Sequence, residues 1–311
     1  HMTNNQPPAV SVIIVSYNVS KFLLGCLKSL YDHQCNIPFE VIVVDNNSTD
    51  DTIPKVQENF PQVRLIESGR NMGFAAANNL GATFARSNFL YLLNPDTLVL
   101  DNAIQELHSF LVSNQSAGAA GSDLKNPDGT FQPSCFPFPT LSREAWRLFH
   151  LDKIFHYGSY PQSTWDKNKP RKVDVIQGTS LMVKRSVWEK LGGFDDSFFM
   201  YSEEVDFCYR MKKEGFERFW VPSSKIIHFG GQSTSQFAQE MFLQLYRAKI
   251  QFFKKHYSQF TVFLYKTILL VASSFRLLLL PVNSIFKPQN KAINIKLQKN
   301  YQTLLSHLSN F

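Results

Sequence analysis

The stretch Val10-Ser11-Val12-Ile13-Ile14-Val15-Ser16-Tyr17-Asn18 is apolar and largely β-branched as far as Val15, then turns polar at Ser16. A run of this kind reads as a buried strand that empties into a loop. Working outward, residues 20–31 carry a helical pattern, and a second apolar run over 40–44 ends at Asp45. Asn46-Asn47-Ser48-Thr49-Asp50 then form a turn able to cap the next helix. A third strand over 64–67 leads into Gly69 and a helix over 74–86, and a fourth over 89–93 ends at Asn94-Pro95-Asp96. This β-α-β-α-β-α-β alternation predicts an α/β fold: a mostly parallel, Rossmann-like sheet flanked by helices, with ligands beyond the carboxyl ends of its strands. The polar clusters 16–18, 45–50 and 94–96 all fall at those ends.

The second half is mixed. Residues 103–112 read as a helix and 117–121 as a short strand. Residues 126–171, rich in Pro, aromatic and polar side chains without a period, read as an irregular insert. A strand over 173–183 is interrupted at Gln177-Gly178-Thr179, and an acid-opened helix covers 202–213. With 311 residues, 44% of them hydrophobic, the chain can bury one sizeable core and a smaller appendage. His1-Met2 read as a tag remnant and 1–9 as a disordered start. No basic n-region or apolar h-region follows, which predicts a cytoplasmic chain. Four cysteines without close spacing suit neither a disulfide framework nor a zinc site, and Cys26 and Cys208 read as core residues.

The net charge of +7 is unevenly spread. After Glu240 there is no acidic residue, while Arg247, Lys249, Lys254, Lys255, Lys266, Arg276, Lys287, Lys291, Lys296 and Lys299 are all basic. A basic tail over 236–311 on an acidic body suits an anionic surface. Nucleic acid is disfavoured, since no recognition module is present. The uncharged run 267–275 falls short of the roughly 20 residues of a spanning helix, which predicts that the tail does not cross a bilayer. Lys255, Gln259, Lys266 and Ser273 are expected on one helical stripe, giving either an interfacial helix on anionic lipid or a helix packed on the catalytic domain or a homodimer partner.

Asp96 projects from a strand end, where a carboxylate can hold a divalent cation and the cation a diphosphate; capping the turn at Thr97 is the other reading. Glu203, Glu204 and Asp206 crowd one helix start. Consecutive residues there diverge by about 100°, so one can orient while the other faces a reacting centre as general base. His228, before Gly230-Gly231, reads as a packed histidine or as a metal or phosphate contact. Gly69-Arg70-Asn71-Met72-Gly73-Phe74 joins a strand to a helix and can receive a phosphate, yet it is neither G-x-G-x-x-G nor a P-loop.

Taken together, these segments resemble the family 2 inverting glycosyltransferases, in their bacterial rhamnosyltransferase-like branch. The resemblance covers about residues 10–232. It rests on ordered motifs: Val12-Ile13-Ile14-Val15-Ser16-Tyr17-Asn18, Val43-Val44-Asp45-Asn46-Asn47-Ser48-Thr49-Asp50, Asn71-Met72-Gly73-Phe74-Ala75-Ala76-Ala77-Asn78, Leu93-Asn94-Pro95-Asp96, Gly192-Gly193-Phe194-Asp195 and Glu203-Glu204-Val205-Asp206. It implies a glycosyltransferase-A fold over 10–235, with a nucleotide-binding half (10–122), an acceptor-binding half (123–235) and a C-terminal helical extension.

It further implies that Ser16, Tyr17, Asn18, Asp45, Asn47, Arg70, Asn71, Gly73, Asn78 and Asn94 serve the nucleotide, and Gln177, Gly178 and Asp206 the sugars. Asp96 and His228 would hold Mg2+ or Mn2+, and Glu204 would be the base. The implied partners are a nucleotide-diphosphate sugar donor and a glycan or polyprenyl-diphosphate-linked acceptor, while the acid-free basic tail adds the anionic inner face of the cell membrane. Two departures stand out. Asn94-Pro95-Asp96 offers one carboxylate where the family pattern has two, and Glu203-Glu204 replaces a Glu-Asp pair, which makes Glu203 the alternative base. A degenerate binding module of the same fold is the rival reading. A nucleotidyltransferase is disfavoured because Ser16 to Lys21 is not a glycine-rich phosphate loop.

Overall fold

The computed structural model describes residues 7–33, 35–232, 234–286 and 288–311. The tag remnant and Lys287 of the basic tail lie outside the described residues. Ala9, expected in a disordered start, is instead hydrogen-bonded: its N–H donates to the Pro38 carbonyl (2.7 Å).

The first half alternates as the apolar runs dictate: β1 (Val10–Ser16), α1 (Ser20–Asp32), β2 (Phe39–Asp45), α2 (Thr52–Asn59), β3 (Arg64–Glu67), α3 (Phe74–Thr83) and β4 (Phe89–Leu93). Every residue of β1 is buried, as a central parallel strand covered on both faces requires. Then follow β5 (Thr97–Val99), α4 (Ala103–Ser113), β6 (Ala117–Lys125), β7 (Phe131–Gln132), β8 (Cys135–Phe136) and α5 (Leu141–Leu148). After these come β9 (Arg171–Lys172), β10 (Val175–Ile176), β11 (Ser180–Lys184), α6 (Arg185–Leu191), α7 (Glu203–Lys213) and β12 (Glu217–His228). The chain ends in α8 (Ala238–His256), α9 (Gln259–Phe286) and α10 (Lys291–His307).

The main sheet runs β3-β2-β1-β4-β11-β6-β12-β5. β3, β2, β1 and β4 are parallel, whereas β11 is antiparallel to both neighbours and β5 is antiparallel to β12. The interruption expected at 177–179 is real: β10 pairs with β8 in a separate two-stranded sheet, and β11 enters the main one. The insert is less irregular than its composition suggests, since it supplies β7, β8 and α5. Burial pushes the Cys26 and Cys208 thiols up to about 12, which suits core residues and not nucleophiles.

The chain divides into two compact units. One comprises the described residues of 1–138 and 161–233, the other 139–160 with 234–311. The middle of the insert, expected in an acceptor-binding half, thus folds with the tail helices. Tyr246, Phe253, Tyr265, Leu269, Tyr301 and Leu304 form that second unit's core. The carboxylate of Glu144, on α5, is buried against Lys249 Nζ (2.8 Å) and Arg147 (3.3 Å).

The expected tail stripe does not survive. Lys255 lies on α8 and Gln259 opens α9, with a break between them, and Ser273 is buried. α9 buries Val262, Tyr265, Leu269 and Ala272, while Phe260, Phe263, Val271, Leu278 and Ile285 make an exposed apolar row on its other side. The helix also continues through Lys266, Arg276 and Pro281 for 28 residues, so by length and composition it is long and apolar enough to cross a membrane, contrary to the sequence expectation. Arg276 is absorbed within the unit: its guanidinium donates to the Leu148 carbonyl (2.7 Å) and meets His150 Nε2 (2.9 Å) and the Tyr301 hydroxyl.

Candidate active site

Parallel register brings Ser16 beside Asp45 at the carboxyl edge of the sheet. The three loops that leave β1, β2 and β3 are laced to one another. Asn18 Oδ1 accepts from Thr49 N–H (2.7 Å), and Asn18 N–H donates to Ser48 Oγ (3.0 Å). Asp45 Oδ2 takes the Ser48 N–H (2.9 Å). Asn46 Nδ2 donates to Asn71 Oδ1 (3.0 Å) and to the Gly73 carbonyl (3.2 Å), while its Oδ1 accepts from Met72 N–H (2.9 Å). Asn18 and Asn47 take up left-handed backbone (φ 53 and 69), a conformation asparagine tolerates better than most residues. Gly73 must be glycine: its φ is +82, and a Cβ there would lie 2.3 Å from the Phe199 carbonyl oxygen.

At the end of β4, Asn94 N–H donates to the Thr179 carbonyl (3.0 Å). β5 then pairs with β12 so that Thr97 faces His228, which carries Asp96 to the histidine. Both side chains are buried, with Asp96 Oδ1 3.4 Å from His228 Nε2. Asp96 does not cap a turn at Thr97. Its Oδ2 accepts from Gln232 N–H (3.3 Å), and Thr97 is bonded through its own hydroxyl to the Asn94 carbonyl (2.8 Å).

α7 begins after two consecutive left-handed residues, Tyr201 (φ 68) and Ser202 (φ 65). Non-glycine residues hold such angles at a cost of about 1–3 kcal/mol each, and they cluster at functional sites. Glu203 is buried, and its carboxyl is pushed well above the ordinary range by burial and by the adjacent Glu204 charge. Burial raises Glu204 to about 6. Gly178 sits against Phe74 and Glu204: a Cβ added there would meet Phe74 Cε1 at 3.4 Å and Glu204 Cβ at 3.9 Å.

Native proteins leave few buried polar atoms without a partner. Among the described residues, those without one include Ser16 Oγ, Asp45 Oδ1, Gln177 Oε1, Glu203 Oε2, Glu204 Oε2 and His228 Nε2. Ser20 Oγ, Asn102 Oδ1 and Trp220 Nε1, outside the candidate site residues, also lack one.

Two other expected residues, Asp206 and Asn78, are engaged in local packing. Asp206 is fully buried and ion-paired to Arg210 Nε (2.7 Å), whose other nitrogens donate to the carbonyls of Leu191 (2.7 Å) and Gly193 (2.9 Å). It anchors α7 to the preceding loop and does not present its carboxylate to a sugar. Asn78 is likewise buried and donates to the Phe74 carbonyl (2.9 Å) inside α3. Arg70 is exposed and Tyr17 half-buried.

Two participants escaped the sequence reading. Asn46 is the loop clamp, adjacent to the Asn47 that was singled out, and nothing local separates two neighbouring asparagines. Gln132, whose Oε1 lies 2.7 Å from His228 Nδ1, sits in the unpatterned insert.

Asp96 and His228 offer one hard carboxylate oxygen and one imidazole nitrogen, a pair that suits Mn2+ better than Mg2+, which prefers oxygen alone. Among the described residues, no group of three or more His, Cys, Asp or Glu side chains could hold a metal ion. The pair fits a cation whose remaining positions are completed by substrate or water oxygens, and the orphaned, buried His228 Nε2 is the observation that favours it.

The sequence pattern described as Glycosyl transferase family 2 matches residues 11–192, more than half of the chain. The chain belongs to this family. The glycosyltransferase is 30% identical over 244 residues to N-acetylglucosaminyl-diphospho-decaprenol L-rhamnosyltransferase of Mycobacterium tuberculosis, covering 72% of this chain and 77% of the relative. It is 22% identical over 244 residues to rhamnosyltransferase WbbL of Escherichia coli K12, covering 75% and 88%. Among solved structures it resembles the mannosyltransferase PcManGT of Pyrobaculum calidifontis in complex with GDP-Man and Mn2+, at TM-score 0.58 and 17% identity, covering 98% of this chain and 86% of that one. It also resembles GalNAc-T7 with UDP, GalNAc and Mn2+, at TM-score 0.54 and 16% identity, covering 72% of this chain but only 44% of that one. These likenesses establish the glycosyltransferase-A fold of the enzyme.

Proposed function

We propose that this glycosyltransferase moves a hexose, with rhamnose the first candidate, from a nucleoside diphosphate donor to a glycan or polyprenyl-diphosphate-linked acceptor in surface polysaccharide synthesis, inverting the anomeric centre. The observation that carries the reading is the Glu203–Glu204 pair at the start of α7, with Glu203 buried, Glu204 half-buried and one carboxylate oxygen of each withdrawn from solvent without a hydrogen-bond partner. The M. tuberculosis relative's name, with its diphospho-decaprenol acceptor, supports the choice of acceptor. The Mn2+ in both solved relatives supports a metal-dependent reaction.

In this reading the laced loops at Ser16, Asn18 and Asp45 receive the nucleoside, and Asp96 and His228 would hold the cation. When bound, the cation neutralises charge on the donor diphosphate. Glu204, raised to about 6, is ionised at neutral pH and basic enough to accept the proton of an acceptor hydroxyl. As that oxygen bonds to the anomeric carbon, the bond to the diphosphate oxygen breaks and its electron pair leaves with the nucleoside diphosphate. Burial and the Glu204 charge push the Glu203 carboxyl well above the ordinary range, which favours its neutral form beside the base. Gly178 leaves room for a sugar next to the pair.

The donor reading is tested by thermal stabilisation with dTDP-rhamnose, UDP-hexoses and GDP-mannose, with and without Mn2+ or Mg2+. One donor should give a metal-dependent shift that Asp96→Ala loses and Glu204→Gln keeps. No shift with any donor would count against the transferase reading and for a binding module.

The second unit is proposed to rest on the anionic inner face of the cell membrane, with the exposed apolar row of α9 in the lipid and the tail's lysines and arginines at the headgroups. The wild-type protein should float with anionic liposomes and be released by Leu278→Asp with Val271→Asp. Failure of the wild type to float would refute the placement.

A further inference from the structure

The polar contacts around His228 form a chain whose direction is fixed at two backbone carbonyls, and that direction determines which imidazole nitrogen carries the proton. Asn126 Nδ2 donates to the Phe131 carbonyl (3.1 Å) and to Thr130 Oγ1 (2.9 Å). A carbonyl can only accept, so the Asn126 amide is oriented with its Oδ1 towards Gln132. Gln132 Nε2 donates to that oxygen (2.9 Å) and to the backbone carbonyl of His228 (3.3 Å), a second acceptor that admits no reversal. Gln132 Oε1 is thereby turned to His228 Nδ1 at 2.7 Å, and the contact is a hydrogen bond only if Nδ1 carries the hydrogen. Neutral imidazole then bears its lone pair on Nε2, the buried atom without a hydrogen-bond partner that faces Asp96 Oδ1 at 3.4 Å. Two acceptors that face each other in a buried site are mutually repulsive until a cation lies between them.

We propose that Gln132 is a positioning residue that holds His228 in its Nδ1–H tautomer and aims the Nε2 lone pair at a divalent cation shared with Asp96. The inference rests on the reading of Asp96 and His228 as the cation site. It adds that the irregular insert, through β7 and the Asn126 turn, sets the metal affinity of a histidine 96 residues further along the chain. Outer-shell partners of this kind are worth about 10- to 100-fold in metal affinity.

The test has two readouts besides turnover. In full-length wild-type protein without metal, 15N NMR of His228 at a pH where the ring is neutral should show a protonated Nδ1 and a bare Nε2. Protein-bound Mn2+, followed by EPR in titrations with Mn2+ and each of dTDP, UDP and GDP, should weaken about 10- to 100-fold in Gln132→Leu. It should stay close to wild type in Gln132→Glu, which keeps the acceptor. A protonated Nε2 in the wild type overturns the proposal, and that readout stands even if the leucine variant fails to fold. Wild-type Mn2+ affinity in a folded Gln132→Leu overturns it as well. Asp96→Ala and His228→Ala separate the two layers. If both bind Mn2+ like the wild type, the cation site itself falls; if they lose it while Gln132→Leu does not, only the positioning role falls.

Discussion

The two units treat glutamates withdrawn from water in opposite ways. In the second unit Glu144 has the company a buried carboxylate needs. Burial pushes its pKa up, but Lys249 and Arg147 outweigh that, and with a hydrogen bond from the Tyr265 hydroxyl (3.4 Å) they hold it below the ordinary value. In the first unit Glu203 and Glu204 are neighbours at the start of α7, with burial and the Glu204 charge both driving Glu203 up and burial driving Glu204 up to about 6. The first arrangement is what a stable fold builds. The second opposes stability, and a carboxylate whose basicity is raised in this way is what general-base chemistry requires.

The sharpest way to break the comparison is to remove one carboxylate from each set. Glu144→Ala leaves Lys249 buried without its counter-charge and should cost about 3–5 kcal/mol, read as lost hydrogen-exchange protection in the unit built from 139–160 and 234–311. Glu204→Gln should go the other way by a smaller amount. A carboxyl whose folded value lies above its ordinary 4.5 destabilises the fold increasingly as pH rises from 4.5 through about 6, and fully above that. The glutamine variant should therefore melt higher than the wild type at pH 8, by roughly 2–4 °C, with the gain gone below pH 4.5. Equal destabilisation by both substitutions would mean that the α7 pair is structural after all.

Legibility followed the same division. The strands β1 to β4 and helices α1, α3, α4 and α7 could be read because each is a local pattern: an apolar run for a doubly covered strand, a 3.6-residue period for a helix. The site residues at strand ends came with them, since a parallel sheet places successive loops on one edge. What remained hidden depends on partners distant in sequence. β12 is twelve residues long, but Pro222 and the register shift between Val221 and Lys225 break its alternation. Glu144 meets Lys249 across 105 positions, and Gln132 meets His228 across 96, pairings that no local period encodes. The tail was misread for a related reason. By spacing alone Lys255, Gln259, Lys266 and Ser273 form one stripe, whereas the break between α8 and α9 and the packing of Ser273 leave an apolar row outermost.

The central claim is that Glu204 is the base and Glu203 its protonated neighbour, and it is tested most directly by the pH dependence of kcat for wild type, Glu204→Gln and Glu203→Gln with the donor that stabilises the protein. Wild-type kcat should fall tenfold per pH unit below about 6 as Glu204 takes up a proton. Glu204→Gln should lose about 10²- to 10⁴-fold along with that acid limb, while Glu203→Gln keeps substantial turnover. Near-wild-type turnover in Glu204→Gln, or loss of the acid limb in Glu203→Gln alone, would contradict the assignment.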